Sequence, residues 1–258
     1  MPPSPPAPLP TNLRSVPGEG RTLSVCHPTP PMNTPPLQVL YEDNHLLAVV
    51  KPAGLPTMGT PGDRPTLLAL AREYVKQRYN KPGNVYLGVV SRLDAPVTGV
   101  VLLARTSKAA ARLTEQFRTH AVEKSYWAIV EGLVEPPAEN LVDWLGQDER
   151  HRRMHIVGST LAGAKQARLS YRRLAVLAAD SLLEVELETG RKHQIRLQLA
   201  HHGHPVLGDL KYGSRRRFPN GIALHARRLV VAHPTTGAKL AFEAPLPEAW
   251  RKFGVRDQ

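Results

Sequence analysis

SRLDAPVTGVVLLART, residues 91–106, joins a short polar loop to a strongly apolar run. Val97 to Ala104 is rich in β-branched residues and short enough for a buried strand, while Pro96 and Gly99 exclude a helix through the preceding residues. Asp94, two residues after Arg92, therefore stands on a tight loop at the edge of a rigid sheet, where catalytic groups tend to sit. Read alone, Arg92 and Asp94 make a loop ion pair. The rest of the chain makes Asp94 the candidate catalytic residue.

Upstream, LQVLYED and HLLAVVK read as two strands around a turn at Asp43 and Asn44, and KPAGLP closes the second strand as a loop. Residues 66–79 carry apolar positions at helical spacing after the capping Thr66. Downstream, Ser107 is expected to cap a second amphipathic helix with Ala110, Leu113 and Phe117 on one face. Residues 122–132 form a strand that presents Tyr126 and Ala128 on one face. Residues 150–173 hold seven Lys or Arg and no acid, and read as a basic hairpin. SLLEVELET, 181–189, alternates as a half-buried strand, and Thr189 and Gly190 open a helix with His193, Arg196 and Ala200 on one face. Two closing strands and a short helix around Trp250 follow.

Of the 25 prolines, 12 lie in residues 1–36, which carry little periodic apolar pattern and are expected to form a disordered tail, with Met32 as an alternative start. Residues 37–258 are read as one domain acting as a monomer. A net charge of +12 and pI near 10.1 point to a polyanionic partner, nucleic acid first. The single cysteine, Cys26, excludes an internal disulfide. The lack of a membrane-spanning run or signal peptide leads us to expect a cytoplasmic protein. Neither a dinucleotide fingerprint nor HExxH is present, and GSTLAGAK, 158–165, lacks the spacing of a phosphate loop, so no cofactor and no metal are expected. His201, His202 and His204 with Asp209 diverge too far to make a convincing metal set.

SRLDAPVTGVVLLART resembles the HRLD-x-x-TSG-LLL-A-KT stretch of the RluA family of pseudouridine synthases. HLLAVVKPAGLP at 45–56, EKSYWAIVEG at 123–132 and ETGRKHQIRLQLAHHGHPVLGDLKYG at 188–213 match further pieces in order and spacing. The resemblance implies an α+β catalytic domain, a mixed and mostly antiparallel sheet flanked by helices and loops. It implies isomerisation of uridine in ribosomal RNA or tRNA without a cofactor. Asp94 would be the catalytic carboxylate, Tyr126 would stack on the uracil, and Arg196 would pair with Asp94. RNA contacts are expected from Arg92, Lys51, Arg150, Arg152, Arg153, Arg191, Arg215, Arg216 and Arg217. The chain departs from the family pattern at Ser91, Val97, Thr98, Lys192 and Gln198. These departures keep a second reading open, an RNA-binding or assembly factor of weak or no activity on the same fold. A hydrolase using the His201–Asp209 cluster is a third.

Overall fold

The strand predicted from the apolar run is Thr98–Ala104, buried at all of its positions. The computed structural model describes residues 37–59, 64–148 and 153–257. The proline-rich segment, Met32, Cys26, Arg150 and Arg152 lie outside the described residues. From Leu37 onward the chain is one compact unit. In chain order its strands are β1 Gln38–Glu42, β2 Leu46–Lys51, β3 Gly88–Val89, β4 Thr98–Ala104, β5 Glu123–Glu131, β6 Ala138–Asp148, β7 Arg153–Ile156, β8 Lys165–Leu177, β9 Asp180–Leu187, β10 Leu224–Ala232 and β11 Lys239–Glu243. The helices are α1 Leu67–Arg78, α2 Ser107–Arg118 and α3 Gln194–His201. One sheet runs β1-β2-β4-β10-β5-β9-β8-β6-β7, with β3 on β4 and β11 on β10. Every pairing is antiparallel except β4 with β10, so the expected α+β class and mostly antiparallel sheet hold.

The two-residue period of β2 and β4 explains why both read as unbroken apolar runs, since each face meets its own helix. Leu47, Val49, Val101 and Leu103 pack with Leu67, Ala71 and Val75 of α1. Leu46, Ala48, Val100 and Leu102 pack with Ala109 and Leu113 of α2. Each such leucine or valine, buried, contributes ~1.5–3 kcal/mol. Thr66 caps α1 as expected, its hydroxyl accepting from Ala69 N at 3.2 Å. The cap of α2 is Thr106, not Ser107: Thr106 is extended and accepts from Ala109 N at 3.1 Å, while Ser107 is already helical.

The second half of the sheet carries two further corrections. The expected hairpin between the two basic segments does not form, because β7 and β8 both pair with β6, which lies between them. β6 escaped sequence analysis since Asn140, Asp143 and Gly146 interrupt its apolar alternation. Likewise Thr189 and Gly190 do not open α3. The Gln194 side chain accepts from Thr189 Oγ1 at 2.8 Å and from Arg191 N at 3.0 Å, which holds 189–193 as a loop, and His193 enters the helix at φ 56°. Residues 194–199 of α3 are all buried, so the helix has no single wet face.

The two halves of the sheet meet at the parallel contact, where His225 lies opposite Thr98 and Ala226 opposite Gly99. Gly99 sits at φ 116°, and a Cβ there would fall 2.3 Å from the carbonyl oxygen of Ala226. No side chain fits that approach. Gly99→Ala is expected to destabilise the fold by ~4 kcal/mol or more, measured as a loss of the cooperative urea transition or a large fall in its midpoint.

Candidate active site

The loop that leads into β4 is braced by the KPAGLPT loop, residues 51–57. Gly54 N donates to Ala95 O at 2.8 Å, and Thr57 Oγ1 donates to Leu93 O at 2.8 Å while accepting from Leu93 N at 3.1 Å. Lys51 is fully buried, and its Nζ donates to the carbonyls of Pro52, Leu55 and Ala95 at 2.8, 2.8 and 2.9 Å. Three acceptors match the three N–H groups of an ammonium. Burial lowers the pKa of Lys51 to about 7, with the charge of Asp94 opposing the shift. Lys51 therefore ties two loops together and does not reach RNA, contrary to expectation. Ser91 accepts from Leu102 N at 2.9 Å, and Thr98 Oγ1 lies 2.7 Å from His225 Nδ1, so two of the departures from the family pattern have structural partners.

Asp94, 27% exposed at its side chain, meets Arg196 of α3: Nη1 donates to Oδ2 at 2.9 Å. Arg196 is itself clasped by Asp209, which accepts from Nε at 2.6 Å and from Nη2 at 2.9 Å. Two carboxylates thus share one guanidinium, and despite burial they raise its pKa above the ordinary arginine value. His193 Nε2 lies 3.7 Å from Asp94 Oδ2, and its Nδ1 lies 2.6 Å from the hydroxyl of Tyr212. The Tyr212 ring also carries Arg196 at 5.1 Å and Arg153 at 5.3 Å from its centroid.

Tyr126 on β5 lines the same cleft as Asp94. Burial first, and the Asp94 charge second, push its phenol up to about 12, so it is neutral at physiological pH. The cleft has a volume of about 910 Å³, and Arg92, Lys124, Arg191 and Lys192 join its lining. Burial lowers the pKa of Lys124. Arg92, Arg191 and Lys192 are exposed.

The other RNA candidates fare differently. Arg153 reaches the site only through its contact with Tyr212. Arg215, Arg216 and Arg217 are absent from the cleft lining. The backbone N–H groups of Arg215 and Arg216 donate to Glu131, five residues beyond Tyr126 and roughly 17 Å along the strand. Arg216 is engaged with the Asp180 and Glu131 carboxylates. The histidine cluster is dispersed as well: His202 faces Asp143, and Asp209 faces Arg196. Among the described residues no group of three or more His, Cys, Asp or Glu is placed to hold a metal.

A family model described as RNA pseudouridylate synthase matches residues 45–201. The chain belongs to the RluA family of RNA pseudouridine synthases. It is 34% identical over 242 residues to ribosomal large subunit pseudouridine synthase D of Zymomonas mobilis, covering 88% of this chain and 75% of that protein. It is 33% identical over 246 residues to tRNA pseudouridine synthase C of Salmonella typhimurium, covering 85% of this chain and 91% of that protein. The solved structure of human RNA pseudouridylate synthase domain containing 4 superposes with a TM-score of 0.70 at 25% identity, covering 85% and 95% of the two chains. The four motifs of this synthase thus named its family, and the model's match contains the Asp94 loop, Tyr126 and Arg196.

Sequence analysis missed Asp209, Tyr212 and Lys124 as parts of the site and placed His193 only by helical spacing. A single acidic or aromatic residue in a loop carries no periodic signal, and the sequence separation of 13 between Arg196 and Asp209 conceals their pairing. Replacing Lys51 by methionine strands three carbonyls around an apolar chain. Lys51→Met should cost about 3 kcal/mol and slow the enzyme by loosening the Asp94 loop; urea denaturation and a pseudouridine assay on the same preparation measure both.

Proposed function

We propose that this synthase converts specific uridines of ribosomal RNA or tRNA to pseudouridine in the cytoplasm. Asp94 acts on the nucleotide, Tyr126 stacks on the uracil and Arg196 pairs with Asp94. The observation that carries this reading is the 2.9 Å contact between Asp94 and Arg196, 102 residues apart in sequence, in a cleft that Tyr126 also lines. The names of the relatives cover both RNA classes. One copy suffices, since Asp94, Tyr126 and Arg196 come from a single chain.

The reaction breaks the bond from ribose C1′ to uracil N1 and forms one to C5; N1 gains a proton and C5 loses one. No electron, donor or net water is required. The target base must leave its stack, at a cost of roughly a few kcal/mol. RNA then covers the carboxylate, which keeps its guanidinium partner when water is excluded. A neutral phenol at Tyr126 suits stacking better than proton abstraction. The exposed Arg92, Arg191 and Lys192 at the cleft supply phosphate contacts.

Asp94→Asn keeps the size of the side chain and removes its charge. Pseudouridine formation should be abolished while RNA affinity stays equal or rises, and formation at the parent rate would disprove the assignment. Arg196→Met should make activity fall steeply, and should also destabilise the fold by ~3–5 kcal/mol, because Asp209, 2% exposed, loses its cation. The double variant should show less than the sum of the two activity losses. If the parent forms no pseudouridine in cellular RNA or transcripts, the RNA-binding reading replaces the enzymatic one.

Salt dependence separates the cleft from the remote cluster. Neutralising Arg92 or Arg191 should weaken binding across RNA sequences and reduce the slope of log affinity against log salt by about one unit or less. Arg216→Ala should leave that slope unchanged, since its charge is already met by Asp180. Filter binding at several salt concentrations reads both.

A further inference from the structure

Arg196 holds Asp94 by a single N–H. Its Nε and Nη2 are taken by the two oxygens of Asp209, which leaves Nη1 for Asp94 Oδ2. A carboxylate held at one oxygen by one donor still turns about that contact, whereas reaction at a chosen ribose or base atom needs a defined orientation. A second nitrogen stands against the same oxygen. His193 Nε2 is 3.7 Å away, just beyond hydrogen-bond reach, and a small turn of either side chain closes the gap.

The imidazole is arranged for that contact. Its Nδ1 lies 2.6 Å from the Tyr212 hydroxyl, whose oxygen accepts from Met154 N at 3.3 Å. With a proton on Nδ1, the Tyr212 oxygen would face two donors, and its own proton would have no acceptor among the described residues. Nδ1 is therefore the acceptor, and Nε2 carries its proton toward Asp94. Burial, aided by Arg196, Lys211 and Lys192 and opposed by Asp94, lowers the pKa of His193 to about 4, so the ring is neutral at physiological pH. The backbone adds an independent sign. His193 sits at φ 56°, ψ 22°, in the left-handed region that glycine adopts with least strain, and an imidazole occupies it at the mouth of the cleft.

Building on the reading of Asp94 above, we infer that His193 is a positioning residue of this synthase. Its Nε2–H, aimed by the chain of hydrogen bonds from Met154 through Tyr212, fixes the orientation of the Asp94 carboxylate for the reaction. The guanidinium supplies charge, and the imidazole supplies direction.

The full chain and two variants test this on unmodified ribosomal RNA and tRNA transcripts, by single-turnover pseudouridine formation and by RNA affinity. His193→Gly suits the left-handed backbone, so its thermal midpoint should equal or exceed that of the parent. Its rate should fall about 10-fold or more, toward the ~100-fold cost of a 1 Å misplacement, with affinity changed by less than about twofold. His193→Gln places an amide N–H near the position of Nε2 and should recover most of the rate. A variant that loses affinity at an unchanged rate would make His193 an RNA contact, and equal rates for the Gly and Gln variants would remove the donor; either result overturns the inference. Should the parent form no pseudouridine, the enzymatic reading fails first, and ¹⁵N spectra of the histidine-labelled parent then decide the arrangement. An unprotonated Nδ1 on His193 is expected, and a protonated one overturns the inference.

Discussion

The close approach of β4 and β10 at Gly99 and Ala226 is the constraint on which the site depends. It is the parallel step in an otherwise antiparallel sheet, and it joins β1, β2 and β4 to the strands from β5 onward. The loop bearing Asp94 feeds into β4, while Tyr126 lies on β5, directly beside β10 and opposite Ala226. Any widening of that seam separates the carboxylate from the ring. A backbone contact that admits no Cβ is therefore as much a part of the site as the side chains that line it.

Around this seam, buried charge is handled by saturation. Lys51 has a carbonyl for each of its N–H groups, and Arg196 has carboxylates on Nε, Nη1 and Nη2. Unpaired, either cation would cost several kcal/mol, roughly, to bury. Paired, each ties together segments distant in sequence. Lys51 links the strand end to the Asp94 loop 44 residues later, and Arg196 links that loop to the turn at Asp209. Asp209 has a second consequence, since a carboxylate that claims two guanidinium nitrogens leaves Arg196 only one to offer Asp94. Stability of the arginine and freedom of the Asp94 carboxylate come from the same geometry.

The departures from the family pattern are largely absorbed by local structure. Ser91 accepts from the backbone of β4, Val97 is buried in the core beside α3, and Thr98 meets His225 across the seam. Gln198 is buried and donates to Asp143 at 2.7 Å. Lys192 is exposed at the cleft, where a cation suits a polyanion. None displaces Asp94, Tyr126 or Arg196.

From residues alone, the strands β1, β2, β4, β5, β7, β8, β9, β10 and β11 and the helices α1 and α2 were legible, because period two, period 3.6 and capping are properties of short segments. The family was legible too, since four motifs kept their order and spacing, and with it the pairing of Asp94 with Arg196. Tertiary structure alone decided the rest. Lys51 looked like a surface lysine until the Asp94 loop folded over it, and β6 came between two basic strands that looked like partners. Arg216, read with its neighbours as an RNA patch, turned out to set its guanidinium against Asp180 and Glu131. The places of Asp209, Tyr212 and His193 in the site depend on contacts across 13 to 58 residues of chain. Local periodicity records which face of an element is buried, but the partner of a buried polar group is set by where the chain returns, and one sequence carries no local signal of that return.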